Sequence, residues 1–496
     1  MRGLFWFLLL VLAASPARAE WFRAESPNFI VYGEMTQSQL RERAALLEEF
    51  DAFLRLLTGT TAPPAPNKLR VYLVHGPAEM QIVMPVGEGV GGFYRAGPEA
   101  IVAVADETTN WRRNEDDTLL HEYAHHFMMQ YHPAPYPSWY VEGFADYVAT
   151  ADIRPERIEY GNYSLVRASW LTSDAPWVSY DEILFGSLKR VRAGTYYAQS
   201  WLLVHYIMAD EGRRAAFVRF VQALGRGEDP RAAFTAAFRM SVADVDRTLR
   251  DYRRRITFHR IERVGARPAP QIAITRIANG GLDPPLLEAG LMTGGAANAP
   301  GRMLDRARRA AGGGDPYGQR IRARAEILYG DPAAADALLD PQLAAAPADA
   351  DLLYLKGLRH LVAGRRDPAA RVAQYRLAGT FFARAIRADP DHWPSLFHYA
   401  ETLPSERLLS DNGRNILLLA TSLAPQVIEI RLAAAHLLLL RGEFEQAEAL
   451  LLPVSPTVHD PDGADLAAVY LRLARARQRP ADTMIFKTAD APAPAR

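Results

Sequence analysis

The 496-residue chain contains no cysteine, so it has neither disulfides nor a cysteine to carry a lipid anchor. It has no excess charge either. Its 57 Lys and Arg balance 57 Asp and Glu, which removes any general attraction to nucleic acid or to an anionic membrane. Beyond the N-terminus no run approaches the roughly 18 apolar residues a spanning helix needs, so no integral membrane segment is expected in the mature chain. What is present is globular: 49% hydrophobic and 23% charged residues, in a chain too long for one core.

Residues 1–19 read as a secretory signal peptide. Arg2 gives the positive start, Leu4 to Ala14 the apolar run, and Ala17-Arg18-Ala19 a small-x-small site for cleavage after Ala19. The expected location is periplasmic or secreted, where a protein without cysteine must fold on its core alone.

The most informative stretch is His121-Glu122-Tyr123-Ala124-His125, an HExxH pattern. On a helix, residues four apart share a face, so the two imidazoles can converge on one metal ion. Glu122 projects beside them as a candidate general base. Two histidines with a carboxylate make zinc the expected cofactor, because catalytic zinc takes three protein ligands and leaves a fourth position for water. Glu142 lies on the next predicted helix and is the expected third ligand, with Asp146 one turn on to accept the outer N–H of a ligand histidine. His126 points about 100° away from His125 and is not expected to ligate. His132 follows the helix, but without an H-x-x-G-x-x-H continuation Glu142 is preferred.

Around this motif, β-rich runs are expected at Asn28–Tyr32, Leu69–Val74 and Ala100–Ala105. A helix capped by Thr36 with Gln39 runs to Gly59. Gly87 to Gly97 lacks the order and the lysine of a phosphate loop and reads as a hairpin or bulge. The helix carrying His121 is expected from Glu115, with Asp116 and Asp117 favoured by its dipole, and the Glu142 helix from Ser138 as cap. Residues 151–194 carry no pattern that fixes their structure. Helices follow from Thr195 to Met208 and, capped by Ser241 with Asp244, to Arg255.

The proline- and glycine-rich stretch 263–299 reads as a linker between a domain at 20–262 and an α-helical domain at 300–480, with a disordered tail at 481–496. In the second domain prolines recur at a loose period of about 34 residues, as in tetratricopeptide repeats. Leu432 to Leu440, the turn at Arg441-Gly442, and Phe444, Ala447 and Leu450 resemble one such unit. Repeats of this kind would serve a protein partner.

The His121-Glu122-x-x-His125 helix followed by Trp139-x-x-Glu142-Gly143-x-Ala145-Asp146-Tyr147 resembles the gluzincin metallopeptidases, in particular the bacterial peptidase-MA-like group. The likeness covers roughly Trp21 to Arg255. It implies an α+β, thermolysin-like zincin domain: a small mixed sheet, an active-site helix and a helical second half. It implies zinc on His121, His125 and Glu142, Glu122 as general base, and a peptide or protein substrate. The strand near Gly92-Phe93-Tyr94 would be the edge that pairs with substrate. In that family the oxyanion is commonly met by a Tyr or His of the helical half, which points to the helix of Tyr196, Tyr197 and His205, with Tyr197 chosen. No G-x-M-E-N motif precedes HExxH, which favours an endopeptidase over an aminopeptidase. The alternative is a catalytically inactive periplasmic scaffold that acts through its repeats.

Overall fold

Aromatic and β-branched residues place the strand Phe29–Glu34 (β2), and Trp21–Glu25 (β1) pairs antiparallel with it, Ala24 opposite Val31. The structure is a computed structural model and describes residues 20–87, 90–108, 118–162, 165–172, 177–186, 191–263, 268–278, 282–295, 299–310, 314–454 and 461–486. Residues 1–19, expected to be a signal peptide, and the acidic Glu115, Asp116 and Asp117 lie outside the described residues.

After β2 the Thr36/Gln39 capping box starts α1 (Gln37–Thr58), and Gly59 closes it at φ 70°. Then come β3 (Leu69–Val74), α2 (Pro77–Val83), β4 (Gly92–Ala96) and β5 (Ile101–Asp106). Next are α3 (Thr118–Tyr131), α4 (Ser138–Ala149), β6 (Asp152–Ile153), β7 (Arg157–Tyr160) and α5 (Leu165–Thr172). The first half continues through α6 (Tyr180–Phe185), α7 (Ala193–Met208), α8 (Glu211–Gly225), α9 (Pro230–Phe238), α10 (Val242–Tyr252) and β8 (His259–Glu262). Pro137, not Ser138, occupies the cap of α4 and makes no side-chain cap bond. Ser241 and Asp244 do form their capping box.

The main sheet is mixed and ordered β4-β5-β3-β2-β1-β9, where β9 is Ala273–Arg276. β2, β3 and β5 run parallel, whereas β4 pairs antiparallel with β5 and leaves its far side as the sheet edge. Because strand residues alternate between faces, Phe29, Val31, Val71 and Ala103 face the largest core, shared with Tyr123 of α3, Trp139 of α4 and Trp201 of α7. Tyr32, Tyr72, Val102 and Val104 face the other way, against α2 and α11 (Pro284–Thr293).

The stretch 263–299 is therefore not a linker. β9 extends the main sheet on β1, with Ile274 opposite Ala24, and α11 is buried against α2. The prolines and glycines punctuate these elements: Pro284 and Pro285 begin α11, where a missing N–H costs nothing, and Gly294 ends it at φ 76°. The fold is mixed α+β, and the first domain continues past residue 262.

The second half is helical throughout: α12 (Pro300–Ala310), α13 (Pro316–Tyr329), α14 (Pro332–Ala345), α15 (Ala350–Arg366), α16 (Arg371–Ala388), α17 (Trp393–Glu401), α18 (Ser405–Leu408), α19 (Asp411–Leu423), α20 (Ile428–Arg441), α21 (Phe444–Leu451) and α22 (Pro461–Arg475). Nearly every helix packs on the one before it, and α13, α15 and α17 also touch in turn, as in a stack that grows in one direction. Gly357 lets α15 approach α16, since a Cβ there would stand 2.4 Å from the Phe382 ring. Residues 481–486 are not a free tail: Phe486 packs on Phe397 at 5.5 Å between ring centroids, and the Asp482 carbonyl lies 2.8 Å from His436 Nε2. The rest of that segment, 487–496, lies outside the described residues.

Candidate metal centre

α3 and α4 pack directly on one another, and their facing turns carry the polar residues of the motif into an otherwise apolar core. Gly143 makes room for this on the far side of α4, because a Cβ there would come within 2.5 Å of the Ser200 carbonyl on α7. α4 is thus clamped between α3 and α7. Its inward carboxylates, Glu142 and Asp146, are 1% and 5% exposed.

Three donor atoms converge. His121 Nε2 and His125 Nε2 stand 3.0 Å apart, and each lies 3.4 Å from Glu142 Oε2. Ligands about 2.0–2.1 Å from a tetrahedral zinc stand about 3.3–3.4 Å from one another, which the two sides to Glu142 match, while the 3.0 Å between the histidines needs a small widening. The donor set of two imidazoles and one buried carboxylate is also that of a catalytic zinc site. These residues fit the metal.

Asp146 holds the outer side of His121, with Oδ1 2.9 Å from His121 Nδ1. It is held in turn by Arg167 of α5, whose Nε and Nη2 donate to its two oxygens at 2.8 and 2.9 Å. Burial opposes the Asp146 charge, but Arg167 and His121 outweigh it and keep the carboxyl below its ordinary range. Burial likewise opposes a charged His121, yet Asp146 and Glu142 outweigh it and hold its pKa up to about 10. In the metal-free chain that proton offsets part of the buried negative charge, and a bound dication would displace it.

Glu122 is 5% exposed, and its Oε2 has no hydrogen-bond partner among the described residues. A buried carboxylate oxygen left unpaired is costly unless the site supplies a partner in use. Tyr197 lies on α7 with its ring 6.1 Å from that of His121 and the Arg167 guanidinium 5.0 Å over its face. Burial and the nearby Glu142, Asp146 and Glu122 push its hydroxyl well up, so it remains a proton donor. His205, the other polar candidate on α7, is taken up by structure: its ring nitrogens lie 2.9 Å from Tyr252 OH and 2.9 Å from the Thr257 carbonyl.

His126 faces away from the triangle. Its Nδ1 lies 3.1 Å from Tyr94 OH on β4 and 3.4 Å from Gln426 Nε2, and burial depresses its pKa to about 3, so it is neutral. His132 Nε2 pairs with Thr60 Oγ1 at 2.6 Å and takes no part. Sequence reasoning missed Arg167, which lies in the stretch without legible pattern, and Gln426, which reaches the motif helix from the helical half.

Compared with protein-family models, curated proteins and solved structures, the chain matches none, so its own geometry carries the functional reading.

Proposed function

We propose that the chain is an exported zinc-dependent peptidase, and specifically an endopeptidase of the gluzincin kind. The observation that carries this reading is the triangle of His121 Nε2, His125 Nε2 and Glu142 Oε2, of a size compatible with zinc, with Glu122 close enough to act on His121 electrostatically and its Oε2 without a hydrogen-bond partner among the described residues. A buried metal triad alone would serve structure as well as catalysis. The free Oε2 of Glu122 favours catalysis.

Bound there, zinc supplies Lewis acidity and lowers the pKa of water. Glu122 removes a proton from the attacking water and returns it to the leaving amine. Asp146, fixed by Arg167, holds the His121 imidazole with its Nε2 directed inward. Tyr197, kept protonated, would donate a hydrogen bond from its hydroxyl to the oxyanion of the tetrahedral intermediate. The edge strand β4 offers its unpaired backbone groups to an extended substrate. Residues 1–19 direct export, and the helical half presents substrate or binds a protein partner.

Purified mature protein should carry zinc and cleave an unstructured protein such as casein. Glu122→Gln should retain the metal and lose cleavage; unchanged cleavage by that variant would remove Glu122 from the mechanism.

A further inference from the structure

Beside the ligand His125 lies a pocket of about 120 Å³ with walls from both halves of the chain. On the first-half side the walls are Met128 and Met129 of α3 and Val141 of α4, together with Tyr94 to Ala96 of β4. On the other side they are Ile428 of α20 with Pro453 and Val454. Thioether, aliphatic and aromatic surface predominates, with Arg95, His125, Gln426 and the two tyrosines Tyr94 and Tyr136 carrying its polar groups.

The joint between the halves at this point is specific. Gln426, 5% exposed, donates through Nε2 to Gln130 Oε1 at 2.8 Å and approaches His126 next to the ligand His125. The wall from the second half is thus pinned to the motif helix by a side chain 300 residues away from His126. Ala96 at the end of β4 and Ile101 at the start of β5 also pack into the helical core of Trp393 and Leu396. A substrate strand lying along β4 would therefore run past the helical stack.

We propose that the helical half forms one wall of the substrate site, and that Ile428 and Val454 help select a medium-sized apolar side chain, such as Leu or Met, next to the scissile bond. A cavity of about 150 Å³ accommodates a benzene ring, so this smaller pocket suits an aliphatic side chain better than an indole. Its walls offer an ammonium no counter-charge, and Arg95 is the single lining residue that could pair with a carboxylate, against a surface that is otherwise mainly apolar. This rests on the peptidase reading for the position of the substrate chain. It adds that specificity is divided between two domains.

The test uses full-length, zinc-loaded Glu122→Gln protein and a set of capped alanine-based peptides that differ at one position: Leu, Trp, Asp or Lys. By calorimetry the Leu peptide should bind at least about tenfold tighter than the Asp or Lys peptide. Adding Ile428→Trp, which fills the pocket, should remove that advantage while zinc content and melting temperature stay the same. Adding Ile428→Ala should move the preference from Leu towards Trp, and it carries the test should the tryptophan variant fail to fold. An identical ranking of the four peptides in all three proteins overturns the proposal, as does a preference for Asp. The peptidase reading is judged separately, by whether protein with Glu122 intact cuts the peptides: cutting with a ranking insensitive to Ile428 overturns the divided pocket alone. Absence of any peptide binding overturns both.

Discussion

The metal triangle and the pocket beside it share the side chain of His125 but are built in opposite ways. His121, His125, Glu142 and Asp146 come from two consecutive helices, where helical periodicity together with the packing of α3 on α4 brings them together. The pocket needs β4, α3, α4 and the second half of the chain at once. The first is a local device that any scaffold holding two such helices could carry. The second needs both halves of the chain, and under the proposed peptidase function it is where specificity would be set.

Changes in the triangle should therefore abolish chemistry, and changes in the second half should redirect or loosen it. The largest effect is expected from His125→Ala or Glu142→Ala. Either should lower zinc affinity by more than the roughly 10- to 100-fold that loss of an outer partner costs, measured by competition with a chromogenic chelator. Glu122→Gln should keep zinc and reduce peptide cleavage by roughly 10²- to 10⁴-fold in steady-state kinetics. Asp146→Asn, which leaves the three ligands but weakens the hold on His121, should cost roughly 10- to 100-fold in zinc affinity. Removing zinc from the wild-type chain with a chelator should lower its melting temperature, since metal at a thousand times its Kd stabilises by about 4 kcal/mol. The His125→Ala protein should not respond to the chelator. Smallest of all, Gln426→Ala should destabilise the chain by about 1 kcal/mol in urea unfolding, with zinc affinity unchanged. A large loss of zinc from Gln426→Ala would break the division between local and assembled parts.

The same division decides what the amino-acid sequence discloses. The histidine pair, Glu142 and Asp146 follow from helical spacing, and the capping boxes at Thr36 and Ser241 are local patterns that the fold retains. Arg167 carries no such pattern, because its partner Asp146 lies 21 residues away across an irregular segment. Gln426 is an ordinary loop residue until the fold sets it against His126. β1 gave little signal as a strand because its character comes from pairing with both β2 and β9. Proline and glycine in 263–299 read as a linker because the composition of a helix start and stop resembles that of a loop, and only packing separates them. Pro284 and Gly294 bound a helix whose leucines are fully buried.

The central claim is that the three donor atoms of α3 and α4 hold a zinc ion, and metal analysis of the purified mature chain tests it most directly. Elemental analysis after dialysis against trace zinc should find one zinc per wild-type chain and almost none in the His121→Ala/His125→Ala protein at equal folded content. A wild-type chain that holds no zinc, or a double variant that holds as much, would contradict the account.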